Sequence, residues 1–180
     1  MKNYVRVLGL AAFLFSSAAL AQSAGEKTGV NSTLGIAPPT ADFVKEAAIS
    51  DMLEIESSKV AQQKGNADEK KFAEQMIADH TKTSSELKSM VSRGDLKAEI
   101  PSGLDSSSQR KLNKLRDAKP EDFAAQYDPM QVSAHKDAVS LFERYAKGGN
   151  NAKLKDWAGK TLPTLQHHLE MAQALDKNRK

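Results

Sequence analysis

Phe72-Ala73-Glu74-Gln75-Met76-Ile77-Ala78-Asp79-His80-Thr81-Lys82-Thr83-Ser84-Ser85-Glu86-Leu87 is the stretch whose reading decides the fold. Phe72, Ala73, Met76, Ile77, His80, Ser84 and Leu87 return at spacings of three and four, the repeat of one face of an α-helix. The stripe continues to Val91, so the spacing predicts a helix from about Ala67 to Ser92, closed by Gly94. A histidine stands in the middle of its apolar face.

The same rhythm extends in both directions. Upstream, a helix is predicted from about Ala41 to Lys64, with Phe43, Ala47, Glu54, Ser58 and Ala61 on one face. Val44, Ala48, Met52 and Ile55 widen that stripe, as in a helix covered on more than one side. Thr40 is its expected N-cap, and Gly65-Asn66 its end, with Gly65 suited to a left-handed C-terminal cap. Downstream, Asp95 to Lys119 is less regular: Pro101-Ser102-Gly103 marks a loop, and Leu104, Leu112 and Leu115 suggest a short helix crossing the end of the fold. Pro120 can open the next helix, where a missing N–H costs nothing. That helix carries Phe123, Tyr127, Met130, Ala134, Ala138, Leu141 and Tyr145 and stops at Gly148-Gly149; Pro129 inside it predicts a kink or break near Asp128. The last helix runs from about Asn151 to Asp176 with Leu154, Trp157, Ala158, Thr161, Leu165, His168, Ala172 and Leu175 inward, and Pro163 predicts a second kink that frees the carbonyl of Gly159. Four long amphipathic helices and one short connecting helix read as an all-α four-helix bundle over residues 40–177. No stretch alternates apolar and polar residues in the manner of a strand, which argues against a β-barrel or sandwich.

The N-terminus predicts export. Lys2 and Arg6 precede the apolar run Leu8 to Phe15, and Ala19-Leu20-Ala21 supplies the small-x-small pattern of signal-peptidase cleavage after Ala21. The run is shorter than the roughly 20 residues a membrane span requires, so residues 1–21 read as a cleaved signal peptide, with no transmembrane segment afterwards and a periplasmic or envelope location. Residues 22–39, rich in Gly, Ser, Thr, Ala and Pro, read as a flexible linker. Of 26 basic residues, removal of Lys2 and Arg6 leaves 24 against 23 acidic ones, with both signs interspersed. That near-neutral balance gives no basic face for nucleic acid. The chain has no cysteine, which excludes disulfides, thiolate metal ligands and cysteine nucleophiles.

The chemistry-bearing residues lie on the inner stripes. Four histidines are present, and His80, His135 and His168 fall on or beside the inward faces of three different helices, while Glu54 interrupts the apolar face of the fourth. Each long helix thus offers one group of metal-ligand type. Three imidazoles and a carboxylate suit a divalent transition ion such as zinc, copper, iron or manganese, with Asp79, Tyr127, Gln131 and Gln166 as supporting partners. The same four groups could instead form a buried polar network in which the histidines are satisfied by Glu54 or Tyr127. Spacing along separate helices leaves open whether the four stand at one height. Serine clusters lack the surroundings of a nucleophile elbow, and no phosphate-binding glycine loop is present.

The chain resembles the DUF4142 family. The resemblance rests on Phe43-Val44-Lys45-Glu46-Ala47-Ala48, Glu54-Ile55-Glu56, Lys59-Val60-Ala61, Phe72 to His80, Phe123 with Tyr127, Gln131 and His135, and Leu162 to Leu169. It implies an exported bacterial protein with a ferritin-like bundle and no settled function. Ferritin-like relatives imply di-iron chemistry, yet Ile77, Val132, Thr164 and Leu165 stand three residues before the four histidines, where a carboxylate is needed. The resulting expectation is a non-catalytic envelope bundle stabilised by a buried His/Glu cluster, with any envelope protein partner or small ligand left open. The alternative is a transition-metal-binding protein, and the third reading a metal-dependent oxidoreductase on the same residues.

Overall fold

Three of the four long helices begin where the sequence supplies an acceptor for the first free N–H groups, or a residue that has no N–H. The computed structural model describes residues 30–179. It contains α1 (Val30–Thr33), α2 (Thr40–Lys64), α3 (Ala67–Ser92), α4 (Ser106–Asp117), α5 (Pro120–Gly148) and α6 (Ala152–Asn178), and no strand among the described residues. Asn66 and Glu69 form a reciprocal capping box at the start of α3. Pro120 opens α5 and the Asn151 side chain accepts from Leu154 N at the start of α6.

Several local expectations change. Thr40 does not cap α2; its hydroxyl bonds Tyr145 Oη and Asn150 Oδ1, each at 2.5 Å, tying α2 to the turn between α5 and α6. Gly65 is extended at φ −71°, not left-handed. It is needed for another reason: a Cβ there would stand 2.7 Å from Ala61 O and 2.9 Å from the Glu69 side chain, so α3 could not turn so tightly against α2. Helices α5 and α6 run unbroken through Pro129 and Pro163. The carbonyls those prolines deprive of partners belong to Ala125 and Gly159, both exposed, where water can replace the lost bond.

The signal-peptide reading and residues 22–29 of the expected linker lie outside the described residues. Residues 30–39 run along α5: Ser32 Oγ bonds Ser140 Oγ at 3.0 Å, Arg144 donates to Ile36 O at 2.7 Å, and Pro38 is buried. Among the described residues, no helix is long and apolar enough to cross a membrane.

Helix α2 packs on α3, α5 on α6, α2 on α5 and α3 on α6, so the four long helices enclose one interior; α4 lies across α2 and α5. The interior is not uniformly apolar. One cluster, around Phe43, Leu87, Phe142, Tyr145 and Leu154, fills one end. A second, around Phe72, Met76, Leu112, Phe123 and Tyr127, fills the other. On every long helix the step from one cluster to the other passes a buried polar residue: Asp51 on α2, with buried Glu54 just beyond Leu53, His80 on α3, His135 on α5 and His168 on α6. The helices therefore share a polar layer.

A further polar group, Asp128, is only 2 % exposed, and its Oδ1, like Glu69 Oε1, makes no hydrogen bond within the protein. Burial, and then the charge of Glu69, pushes the Asp128 carboxyl up to about 7. The folded state therefore favours the protonated form more than the unfolded chain does. Stability is greatest on the acidic side of this titration and is lost as pH rises from about 4 to about 7. Asp128→Asn keeps the shape, removes the charge and offers Glu69 a donor. It should raise the thermal midpoint above pH 7 by roughly 3–8 °C and flatten the melting curve between pH 4.5 and 8.5. Parallel pH profiles for the two proteins would show that another group titrates there.

Candidate metal centre

Helical spacing brings the layer together. On α2, Asp51 and Glu54 are three residues apart and share a face; on α3, His80 follows Met76 by four and precedes Leu87 by seven. On α5, His135 follows Gln131 by four, and on α6, His168 lies between Leu165 and Ala172. All three rings are buried, at 2 %, 1 % and 1 % exposure for His80, His135 and His168. Their centroids form a near-regular triangle of 5.8 Å (His80–His135), 5.5 Å (His80–His168) and 5.5 Å (His135–His168). One nitrogen from each lies within 4.8 Å of the other two, and this is the convergent group of ligand type among the described residues.

The second nitrogen of each ring is held from behind. His80 Nδ1 lies 2.8 Å from Asp51 Oδ1, and the Thr83 hydroxyl donates to both Asp51 oxygens at 3.0 Å. His135 Nδ1 is 2.9 Å from the Gln131 carbonyl, and His168 Nε2 is 2.9 Å from Asp79 Oδ2, which also accepts from Gln75 Nε2 at 2.6 Å. A carbonyl or carboxylate only accepts, so these three nitrogens carry the hydrogens. The others, His80 Nε2, His135 Nε2 and His168 Nδ1, are lone pairs in the neutral rings; all are buried and make no hydrogen bond within the protein. Three clustered histidines, each oriented by an acceptor on one nitrogen and with the other unpaired within the protein, have the makings of a metal site. Bonds of about 2.1 Å would place tetrahedral ligands roughly 3.4 Å apart, so small side-chain rotations would be needed for the triangle to hold one ion.

Electrostatics favours neutral rings at two corners. Burial draws His168 down to about 4 against the opposing bond to Asp79, and burial likewise lowers His135. At His80 burial also opposes charge, but the bond to Asp51 and the nearby Glu54 and Asp79 charges outweigh it and raise the value. Burial raises Asp51 itself, partly offset by His80 and Thr83.

All four sequence-identified residues, Glu54, His80, His135 and His168, reach this layer. Glu54 is 1 % exposed and near enough for its charge to act on His80 and His135, but it is not one of the convergent group. Of the supporting partners, Asp79 holds His168, while Gln131 holds His135 through its backbone and Ser57 through its side chain at 3.2 Å. Tyr127 bonds Ser58 at 3.3 Å and not a histidine; Gln166 is exposed. His167 faces solvent, 3.8 Å from Glu170. The histidines are partnered by Asp51, the Gln131 carbonyl and Asp79, not by the expected Glu54 or Tyr127, and the second nitrogen of each ring stays unpaired within the protein. Asp51 is the residue the sequence reading missed. The signal was there, since it stands four residues after Ala47 and three before Glu54, on the stripe that both define.

The chain belongs to the family described as "Domain of unknown function (DUF4142)", whose model matches residues 25–175. No curated protein and no solved structure matches the chain.

Because Asp51 fixes His80 from inside the protein, Asp51→Ala should strand a buried ring N–H and remove the Thr83 acceptor. Urea denaturation in the presence of a chelator should show a loss of about 2–4 kcal/mol, with a smaller loss for Asp51→Asn. An unchanged midpoint for Asp51→Ala would mean that this bond does not hold His80 in place.

Proposed function

We propose that this DUF4142 member is an exported, ferritin-like four-helix bundle that binds one divalent transition-metal ion between His80, His135 and His168. The observation that carries the reading is the convergence of three buried histidines, one nitrogen of each within 4.8 Å of the others, each ring braced by an acceptor on one nitrogen and unpaired within the protein on the other. Buried polar atoms are normally paired, and three lone pairs facing one another repel unless a cation or a donor stands between them. A divalent ion fits the donor set: imidazole nitrogens, no thiolate, and the buried carboxylates Asp51 and Glu54 beside them to offset the charge. The convergent group holds one ligand atom per ring and no carboxylate among the described residues, which supports a mononuclear centre over a di-iron one. Support for export comes from Lys2, Arg6, the Leu8–Phe15 run and Ala19-Leu20-Ala21.

The test is elemental analysis of the mature protein, purified from the periplasm without a histidine tag or chelator. About one equivalent of a transition metal is expected, lost in His80→Ala and His168→Ala. Adding the right ion at a hundred times its Kd should stabilise the apoprotein by roughly 2.7 kcal/mol. Metal-free protein that shows no thermal shift with zinc, copper, manganese or iron would overturn the reading.

A further inference from the structure

We propose that Glu54 is not a ligand of the ion but stands one water molecule away, so that the centre has three imidazole ligands and a fourth, exchangeable position for water or a small anion. This inference rests on the metal-binding reading above. It follows from counting donors and acceptors around the polar layer.

The three convergent atoms are all nitrogens, and Glu54 is outside their set. Yet Glu54 is 1 % exposed and its Oε2 makes no hydrogen bond within the protein. Gln131 is in the same position: it is fully buried, its Nε2 is committed to Ser57 at 3.2 Å, and its Oε1 makes no hydrogen bond within the protein. Both residues border the centre. Gln131 holds His135 through its carbonyl, and Ser57, its side-chain partner, donates to the Glu54 carbonyl at 3.2 Å. With all three rings neutral, as metal binding requires, the layer contains three nitrogen lone pairs and two oxygen acceptors with no internal donor.

A bare ion satisfies the nitrogens but brings no proton to either oxygen. Glu54 acting as a direct ligand would satisfy itself and leave Gln131 unpaired. A water on the ion does both jobs: its oxygen completes the coordination, and its two hydrogens face the Glu54 carboxylate and the Gln131 amide oxygen. Three protein ligands with a water in the fourth position are the pattern of open zinc sites, whereas closed structural sites use four protein ligands. The rings are at most 2 % exposed, so the exchangeable ligand must be a few atoms in size. Glu54 is then a positioning residue that orients whatever occupies the fourth place.

Cobalt(II) and azide test this. The full mature protein is loaded with Co(II), titrated with azide and followed by visible absorption, alongside Glu54→Gln and His135→Ala. Wild type should take up one equivalent, and azide should shift its ligand-field bands. Glu54→Gln, which is isosteric, should keep one equivalent with Co(II) affinity reduced no more than about 100-fold, and should bind azide several-fold more tightly, because the neighbouring negative charge is gone. His135→Ala should lose the ion. The proposal is overturned if azide leaves the wild-type spectrum unchanged, or if Glu54→Gln loses Co(II) as completely as His135→Ala. Failure of the wild type to take up any Co(II) would instead sink the metal-binding reading beneath it.

Discussion

The structure turns on the way each imidazole spends its two nitrogens. One is anchored outward to an acceptor that cannot move far: Asp51 on α2 for His80, a backbone carbonyl of α5 for His135, and Asp79 on α3 for His168. The other is thereby directed inward. Two of these anchors cross between helices, α3 to α2 and α6 to α3, so they set the helices' relative height as well as the ring orientations. A buried ring nitrogen with no partner costs on the order of 1–3 kcal/mol, and a shift of one helical turn along any of these helices would break its pair. The polar layer therefore acts as a register mark between two apolar clusters that, by themselves, would tolerate sliding.

The surroundings allow that layer to be tight. Alanines 47, 73, 134, 138, 158 and 172 are all buried along the inner faces, and their small side chains let the helix backbones come close enough for histidine rings to meet. Phe72 closes one side of the layer, its ring centroid 6.1 Å from His135. Solvent reaches Asp79, whose side chain is 28 % exposed while its partner His168 is 1 % exposed. The centre is thus one residue from water on the α3 and α6 side.

Much of this was legible in the residues. The four long helices and the connecting helix follow from the 3.6-residue apolar repeat and from Gly and Pro punctuation, and the structural bounds lie within a few residues of those read from the pattern. The inward placement of Glu54, His80 and His168 follows from the same repeat. Asp51 was equally legible and was passed over because an aspartate on an apolar stripe looks like an interruption until its partner is known. The prolines break neither helix for a physical reason: Pro129 and Pro163 each remove one bond, but on exposed faces where water replaces it.

What the sequence determined alone was composition by face: which residues of each helix face inward, that histidines and carboxylates are among them, and that no thiolate competes with them. Periodicity along one helix carries no information about its height against another, because sliding preserves the stripe. Only tertiary packing decided that the three rings meet in one layer, which nitrogen of each points inward, and that Glu54 stays outside the convergent set. Those outcomes depend on contacts between helices far apart in the chain, where side-chain reach and hydrogen-bond direction choose among registers that the sequence pattern leaves equivalent.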